Sequence, residues 1–335
     1  MVPTADSHFK EAPYAILGNP ECKHWNFVKN VFSKVQEKGL EDRVQLINIT
    51  AEFFGDKEFK TKIKENVRGK TCFFIHDSSL EPGEWLTRLA FANSAMKYAS
   101  ASSVIDIIPY MLFSRQDRKD ESRVAISARV VADVIGLYAD RVITVDLHAP
   151  QIQGFYDIPL DNLYSAPFVS KKIFSGYPDM LSENLVVMSP DAGGAGRAKT
   201  FIHEISKVYN ITPALVIGYK ERPSAGDIDD YKILGNVAGK DVMIIDDILD
   251  SGKTLVKAAE NLKAKGANKI YAYVTHSLFT NGIEPLKKNF EKIFVSNTRT
   301  IDIKDEKLEI IDLSDLFAEA IYRTAEGESL SQLFE

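Results

Sequence analysis

Apolar runs of strand length alternate with helix-length amphipathic stretches along nearly the whole chain, and this alternation restricts the fold more than any other feature. Strands are predicted at Tyr14–Gly18, Val44–Ile49, Thr71–His76, Ser103–Tyr110, Arg141–His148, Leu185–Ser189, Ala214–Tyr219, Asp241–Ile248, Lys269–Thr275, Lys292–Val295 and Leu308–Leu313. Helical periodicity fills many of the gaps, for example at Trp85–Tyr98, Ile126–Tyr138, Ala198–Tyr209, Leu255–Lys265 and Ser314–Thr324. Such alternation predicts an α/β protein with mostly parallel sheets and helices on both faces. Strands buried on both faces read as continuous apolar runs, as these do.

The 335 residues are enough for about two domains. Val142–Asp146 and Val242–Asp246 echo each other, each an apolar strand ending in a carboxylate. In open α/β sheets ligands sit beyond the carboxyl ends of strands, so two related domains could each present such an end to a ligand. The expected boundary lies near Asn162–Pro167. The expected division is a domain over 1–166, a second over 167–321, and a segment 322–335 that packs back on the first.

Composition narrows the function classes. At 45% hydrophobic and 26% charged residues, the chain reads as a soluble globular protein. A net charge of −6 argues against nucleic acid as the main partner. The two cysteines, Cys22 and Cys72, supply neither a disulfide framework nor a metal cluster, which suits a reducing compartment. Met1–Pro13 lacks the basic and apolar order of a signal peptide. No apolar run approaches the roughly 18 residues needed to span a bilayer. A cytoplasmic location, with no membrane partner, is expected.

Residues 242–254 read Val-Met-Ile-Ile-Asp-Asp-Ile-Leu-Asp-Ser-Gly-Lys-Thr. An apolar strand runs into Asp246 and Asp247. Asp250 then opens a polar turn of Ser251, Gly252, Lys253 and Thr254, and a helical segment follows. Such a turn offers backbone N–H groups and a helix N-terminus to a phosphate. The acidic pair can accept hydrogen bonds from two ribose hydroxyls. Gly252-Lys253-Thr254 matches the end of a nucleotide-binding P-loop, but that motif needs a glycine where Asp247 stands. The stretch is read as a sugar-phosphate site and resembles the phosphoribosyl-binding loop of the phosphoribosyltransferase fold.

Three further motifs surround it. They are Ser114-Arg115-Gln116-Asp117-Arg118, Ser189-Pro190-Asp191-Ala192-Gly193-Gly194-Ala195-Gly196-Arg197, and Tyr219-Lys220-Glu221-Arg222-Pro223, with Asp146 and His148 at the end of a strand. In this order they resemble the ribose-phosphate pyrophosphokinases, which make phosphoribosyl pyrophosphate (PRPP), over about Asn66–Phe334. The resemblance implies two tandem phosphoribosyltransferase-like domains and a diphosphoryl transfer from ATP to the anomeric hydroxyl of ribose 5-phosphate. It implies Mg2+ as cofactor, held near His148, Asp191 and Asp146, since magnesium needs only one or two protein groups beside phosphates and water. It places Lys220 and Arg222 on a catalytic arm that stabilises the transferring group, with Ser224–Asp230 as a loop that opens and closes. Arg115 and Gln116 match an ATP-binding pair. Phe54, Asp56 and Glu58 match, more loosely, the group that holds adenine across a subunit boundary, with Lys57 where glycine is frequent. A homo-oligomer, dimer or hexamer, is therefore expected.

The pattern is departed from at Ser251 and Lys253, at Glu221, and over Cys22–Gly39, which matches poorly. Three alternatives stay open. One is the same transfer to a larger acceptor such as ADP-ribose, whose added charge Lys253 would meet. The others are a phosphoribosyltransferase and a catalytically silent homologue.

Overall fold

The computed structural model describes residues 12–221 and 230–334. The chain forms two units, one running to Leu163 and resuming at Ser314, the other from Tyr164 to Leu313.

The first unit contains β1 (Tyr14–Gly18), α1 (Trp25–Val35), β2 (Val44–Phe53), β3 (Phe59–Ile63), β4 (Thr71–Ile75), α2 (Pro82–Tyr98), β5 (Ser103–Ile108), α3 (Ser127–Gly136), β6 (Arg141–Val145) and β7 (Leu160–Leu163). The strands lie in the order β3-β2-β1-β4-β5-β6-β7. Only the β2–β3 hairpin is antiparallel. β1 and β4 are buried from their second residues onward and read as continuous apolar runs, as central parallel strands do. α1 buries Phe27, Val28, Val31 and Val35, the three-to-four spacing of one helix face.

The second unit contains α4 (Ala166–Gly176), β8 (Leu185–Ser189), α5 (Ala195–Tyr209), β9 (Ala214–Glu221), β10 (Asp230–Leu234), β11 (Asp241–Leu249), α6 (Lys253–Ala264), β12 (Ile270–Ser277), α7 (Glu284–Lys287), β13 (Lys292–Ser296) and β14 (Leu308–Ile311). Its order is β10-β9-β8-β11-β12-β13-β14, again with one antiparallel pair, β9–β10. Numbered by rank within its own unit, each strand has the same neighbours in both sheets. This corrects the internal echo. The counterpart of β11 is β4, which is followed by His76-Asp77, whereas β6 corresponds to β13.

The chain end returns as α8 (Ser314–Glu326) and packs on α1 within the first unit. Phe317 meets Phe27 edge-on with centroids 5.7 Å apart. Three ion pairs line the seam: Lys34–Asp315 at 2.7 Å, Lys38–Glu319 at 2.6 Å and Arg43–Glu326 at 2.8 Å. They are partly exposed, so the seam rests mainly on the apolar contact. All of α8 belongs to this unit, so the return begins at Ser314 and not at 322.

Several element ends differ from the sequence expectation. β5 stops at Ile108, because Pro109 has no N–H for the ladder. β6 stops at Val145, because Asp146 takes a left-handed backbone, φ 43°. The edge strands β3 and β10 and the short β7 were not expected. No helix among the described residues is long and apolar enough to cross a membrane. Cys22 and Cys72 are free thiols.

Candidate active site

In the second unit β11 runs between β8 and β12, with Val242–Ile245 buried. Its pairing continues past the apolar run, Asp246 opposite Val274 and Ile248 opposite His276, so the two carboxylates sit on the strand itself. The Asp247 N–H donates to Asp246 Oδ1 at 2.9 Å. Arg197, in the first turn of α5, places a guanidinium nitrogen 3.3 Å from Asp247 Oδ1. Burial, and then the neighbouring Asp247 carboxylate, push the Asp246 carboxyl well above its ordinary range, while Arg197 pulls the other way. The pair therefore offers both donors and acceptors to a vicinal diol.

The turn after β11 is pinned from outside. Thr280 donates its hydroxyl to Asp250 Oδ1 at 2.8 Å and its N–H to the Asp250 carbonyl at 3.1 Å. Asn281 donates to the Ser251 carbonyl at 3.4 Å. Gly252 has φ 76°, and a Cβ there would lie 3.3 Å from a Leu286 methyl. α6 starts at Lys253, two residues before the expected start, with Gly252 as a cap that supplies no side-chain acceptor. The Val256 N–H makes the first helical bond to the Gly252 carbonyl, at 2.9 Å. Lys253, Thr254 and Leu255 thus open the helix with N–H groups that no capping side chain satisfies, the arrangement that binds phosphate.

Asp191 follows β8 in a tight turn. Its Oδ1 accepts the Gly194 N–H at 2.8 Å, and its carbonyl accepts the Ser189 hydroxyl at 2.6 Å. The carboxylate is exposed yet close enough for its charge to act on Asp246. Tyr231 on β10 donates its phenol to the Pro190 carbonyl at 2.9 Å. Burial, then Asp191 and Asp246, hold that phenol protonated. A Cβ at Gly218 would fall 2.0 Å from the Tyr231 oxygen, so glycine is required for the phenol to pass. Asp191, Arg197, Asp246 and Asp247 therefore form one constellation in the second unit. Lys220 lies on β9 opposite Tyr231. Arg222 and the loop residues 224–229 lie outside the described residues.

The remaining candidates are in the first unit. Asp146 is buried at the end of β6, its N–H donating to the Leu163 carbonyl at 2.9 Å. His148 is exposed and lies beyond the strand, not on it. Phe54 is 56% exposed, which rules out a core role. The Phe54–Glu58 turn is closed by Asp56 Oδ1 accepting the Glu58 N–H at 3.1 Å, with Lys57 at φ 74°, the conformation that favours glycine there. Arg115 is exposed, and Gln116 donates to the Arg118 carbonyl at 2.9 Å and to Asp120 at 3.0 Å.

The profile of the N-terminal domain of ribose phosphate pyrophosphokinase matches residues 23–137, and that of the phosphoribosyl synthetase-associated domain matches residues 190–335. The Agrobacterium fabrum ribose-phosphate pyrophosphokinase is 38% identical over 304 residues, covering 87% of this chain and 93% of that protein. This chain belongs to the ribose-phosphate pyrophosphokinase family. The Chlorobaculum tepidum pyrophosphokinase is 40% identical over 295 residues, 87% of this chain and 88% of its own. The crystal structure of phosphoribosylpyrophosphate synthetase from Mycobacterium smegmatis superposes with a TM-score of 0.80 at 28% identity, covering 94% of this chain and 99% of that one. The fold is therefore two tandem phosphoribosyltransferase-like domains, each a mostly parallel sheet flanked by helices.

The N-terminal profile begins at residue 23 and so spans nearly all of Cys22–Gly39, the stretch expected to match poorly. Sequence reasoning gave no role to Arg197 or Tyr231. Arg197 stood in the quoted Ser189–Arg197 motif, directly after Gly196. Nothing in the sequence around Tyr231 signalled a contact to Pro190.

Proposed function

We propose that this family member transfers the β,γ-diphosphoryl group of ATP to the C1 hydroxyl of ribose 5-phosphate, giving PRPP and AMP. The C1 oxygen bonds to the β-phosphorus, the bond from that phosphorus to the α-phosphate oxygen breaks, and the hydroxyl proton is released. The observation that carries this reading is the β11–α6 junction, where half-buried Asp246 and buried Asp247, the latter paired with Arg197, stand shortly before an uncapped helix N-terminus. The spacing suits one ligand with a diol at one end and a phosphate at the other.

In this reading Asp246 and Asp247 hold the C2 and C3 hydroxyls. Ser251, Gly252, Lys253 and Thr254 hold the 5-phosphate, and Asp250 shapes the turn through Thr280. Lys220 and Arg222 neutralise charge on the transferring group. Arg115 and Gln116 bind ATP, and Phe54, Asp56 and Glu58 hold adenine from a second copy in a homo-oligomer, dimer or hexamer. Phe54 is exposed on a hairpin tip, which suits a contact made to another molecule.

Among the described residues no three His, Cys, Asp or Glu side chains form a metal cage. Mg2+ keeps several waters and takes one or two protein oxygens with phosphates, so it needs no such cage. Asp191 offers such an exposed oxygen in the second unit; in the first unit Asp146 and His148 are the candidate Mg2+ ligands. Bound Mg2+ supplies charge neutralisation on the polyphosphate. We place the protein in the cytoplasm, where Cys22 and Cys72 stay reduced.

Phosphorus NMR of the protein with Mg2+, ATP and either ribose 5-phosphate or ADP-ribose tests this reading. PRPP and AMP should appear together with ribose 5-phosphate. AMP release with ADP-ribose alone would replace the acceptor, and no AMP with either would end the assignment.

A further inference from the structure

β3 is an edge strand and pairs only with β2, so the β2–β3 hairpin has strand support on one side. Two strands alone are marginally stable in water. The last rung before the tip is Phe53 opposite Phe59, with ring centroids 5.6 Å apart. Beyond that rung the tip closes on itself. The Phe54 N–H donates to the Glu58 carbonyl at 2.7 Å, and the Lys57 N–H to the Phe54 carbonyl at 3.0 Å. Phe53 is 54% exposed, so apolar burial alone does little to fix where the rung stands.

Helix α2 supplies a clamp. The guanidinium carbon of Arg88 lies 5.2 Å from the Phe53 centroid and 5.7 Å from the Phe59 centroid, inside the distance at which a cation is drawn to a ring. Phe91, three residues further along α2, meets Phe59 with centroids 5.4 Å apart. Glu84, four residues before Arg88, takes a guanidinium nitrogen at 2.5 Å. Residues three and four apart share one helix face, so Glu84 orients Arg88 while Arg88 and Phe91 grip the rung. On the hairpin itself, Glu52 pairs with Lys60 at 2.9 Å and Lys64 at 3.2 Å, but these side chains are well exposed and such pairs contribute little.

The Arg88 side chain is only 14% exposed, and its Nε is buried without a hydrogen-bond partner among the described residues. Apolar residues often replace a buried, imperfectly answered charge with no loss of stability. What the guanidinium does here that an apolar side chain would not is hold two rings at once.

We infer that Arg88 is a positioning residue for the nucleotide site, on the proposed reading that the Phe54–Glu58 tip holds adenine in a second copy. Arg88 touches no substrate. It acts through the Phe53–Phe59 rung, whose chain neighbours Phe54 and Glu58 are contact residues of that reading. A tip already fixed has less freedom to lose when it meets the base, and a loosened tip binds more weakly.

Hydrogen exchange without nucleotide, and AMP release with each substrate varied, test this on the wild type, Arg88→Met, Arg88→Lys and Phe54→Ala. Arg88→Met keeps an unbranched stem and removes the cation. Exchange over residues 53–59 should then quicken by about 5- to 30-fold, the span of two cation–π contacts, while β1 and β4 exchange as before. KM for ATP should rise by up to the same factor, with KM for ribose 5-phosphate unchanged. Arg88→Lys, a point charge in place of a planar one, should fall between. Unchanged exchange over residues 53–59 in Arg88→Met would overturn the inference. So would faster exchange throughout the first unit, which marks a merely structural role. So would an unchanged KM for ATP in Arg88→Met where Phe54→Ala raises it. An unchanged KM for ATP in Phe54→Ala itself would remove the adenine reading of the tip, and the role of Arg88 with it. If Arg88→Met fails to fold, as read by circular dichroism, Arg88→Lys decides by the same two readouts.

Discussion

Arg197 is the residue whose removal is most informative. Its guanidinium lies 3.3 Å from Asp247 Oδ1, with side-chain exposures of 16% and 7% for the two partners. It is the counter-charge to a pair in which Asp246 is already driven toward its protonated form by burial and by Asp247. Arg197→Gln removes the cation and leaves two carboxyls that share protons more tightly. At neutral pH the pair then loses one charged acceptor for the sugar diol. A hydrogen bond to a charged group contributes about 1.5–3 kcal/mol, so KM for ribose 5-phosphate should rise about 10- to 100-fold. KM for ATP should change far less, because the carboxylate that Arg197 pairs with is assigned to the sugar. The loss should shrink as pH rises, because the pair regains its charge once the bulk proton concentration falls. The assay is AMP release with each substrate varied, at pH 7 and pH 9, for wild type, Arg197→Gln and Arg197→Lys. The lysine variant should recover part of the loss as a point charge. Equal losses for both substrates, or a defect that does not ease at high pH, would refute this reasoning.

Other outcomes follow from the same geometry. Gly252→Ala should raise KM for ribose 5-phosphate, because φ 76° strains alanine by about 1–2 kcal/mol and its methyl crowds Leu286; an unchanged KM would show that the turn does not bind phosphate. Tyr231→Phe leaves the Pro190 carbonyl without its donor, at a cost of about 1–3 kcal/mol, and should lower both the melting temperature and kcat, whereas a fall in melting temperature alone would separate Tyr231 from the Asp191 turn. Asp106 is fully buried, and although Asn93 donates to it at 2.7 Å, burial raises its pKa to about 8. The unfolded chain releases that proton near pH 4, so the stabilising contribution is complete below about pH 4 and is lost as pH rises to about 8, by at most about 1.4 kcal/mol per pH unit. Denaturant unfolding of Asp106→Asn should show a shallower decline with pH than the wild type, and parallel profiles would contradict this.

The alternation of apolar runs and helices was enough to read the sheets, because β4, β8, β11 and β12 are buried on both faces and carry no competing signal. The antiparallel edge strands were not legible for the opposite reason. β3 reads Phe-Lys-Thr-Lys-Ile and β10 reads Asp-Tyr-Lys-Ile-Leu, five residues each with solvated positions interleaved. The internal echo went astray because buried strands look alike, so β6 was paired with β11 on composition when the topology pairs β4 with β11. At the site, Asp246, Asp247 and the Gly252 turn were legible because they are contiguous. Arg197 and Tyr231 were not, because their partners Asp247 and Pro190 are brought to them only by β8, β10 and β11 lying in one sheet.

The central claim is that a pentose phosphate docks where β11 meets α6. A crystal structure of the protein with Mg2+, ribose 5-phosphate and a non-hydrolysable ATP analogue tests it most directly. The account predicts the sugar hydroxyls on Asp246 and Asp247 and the 5-phosphate on the N–H groups of Lys253 and Thr254. Ribose 5-phosphate bound elsewhere, with that junction empty, would contradict it.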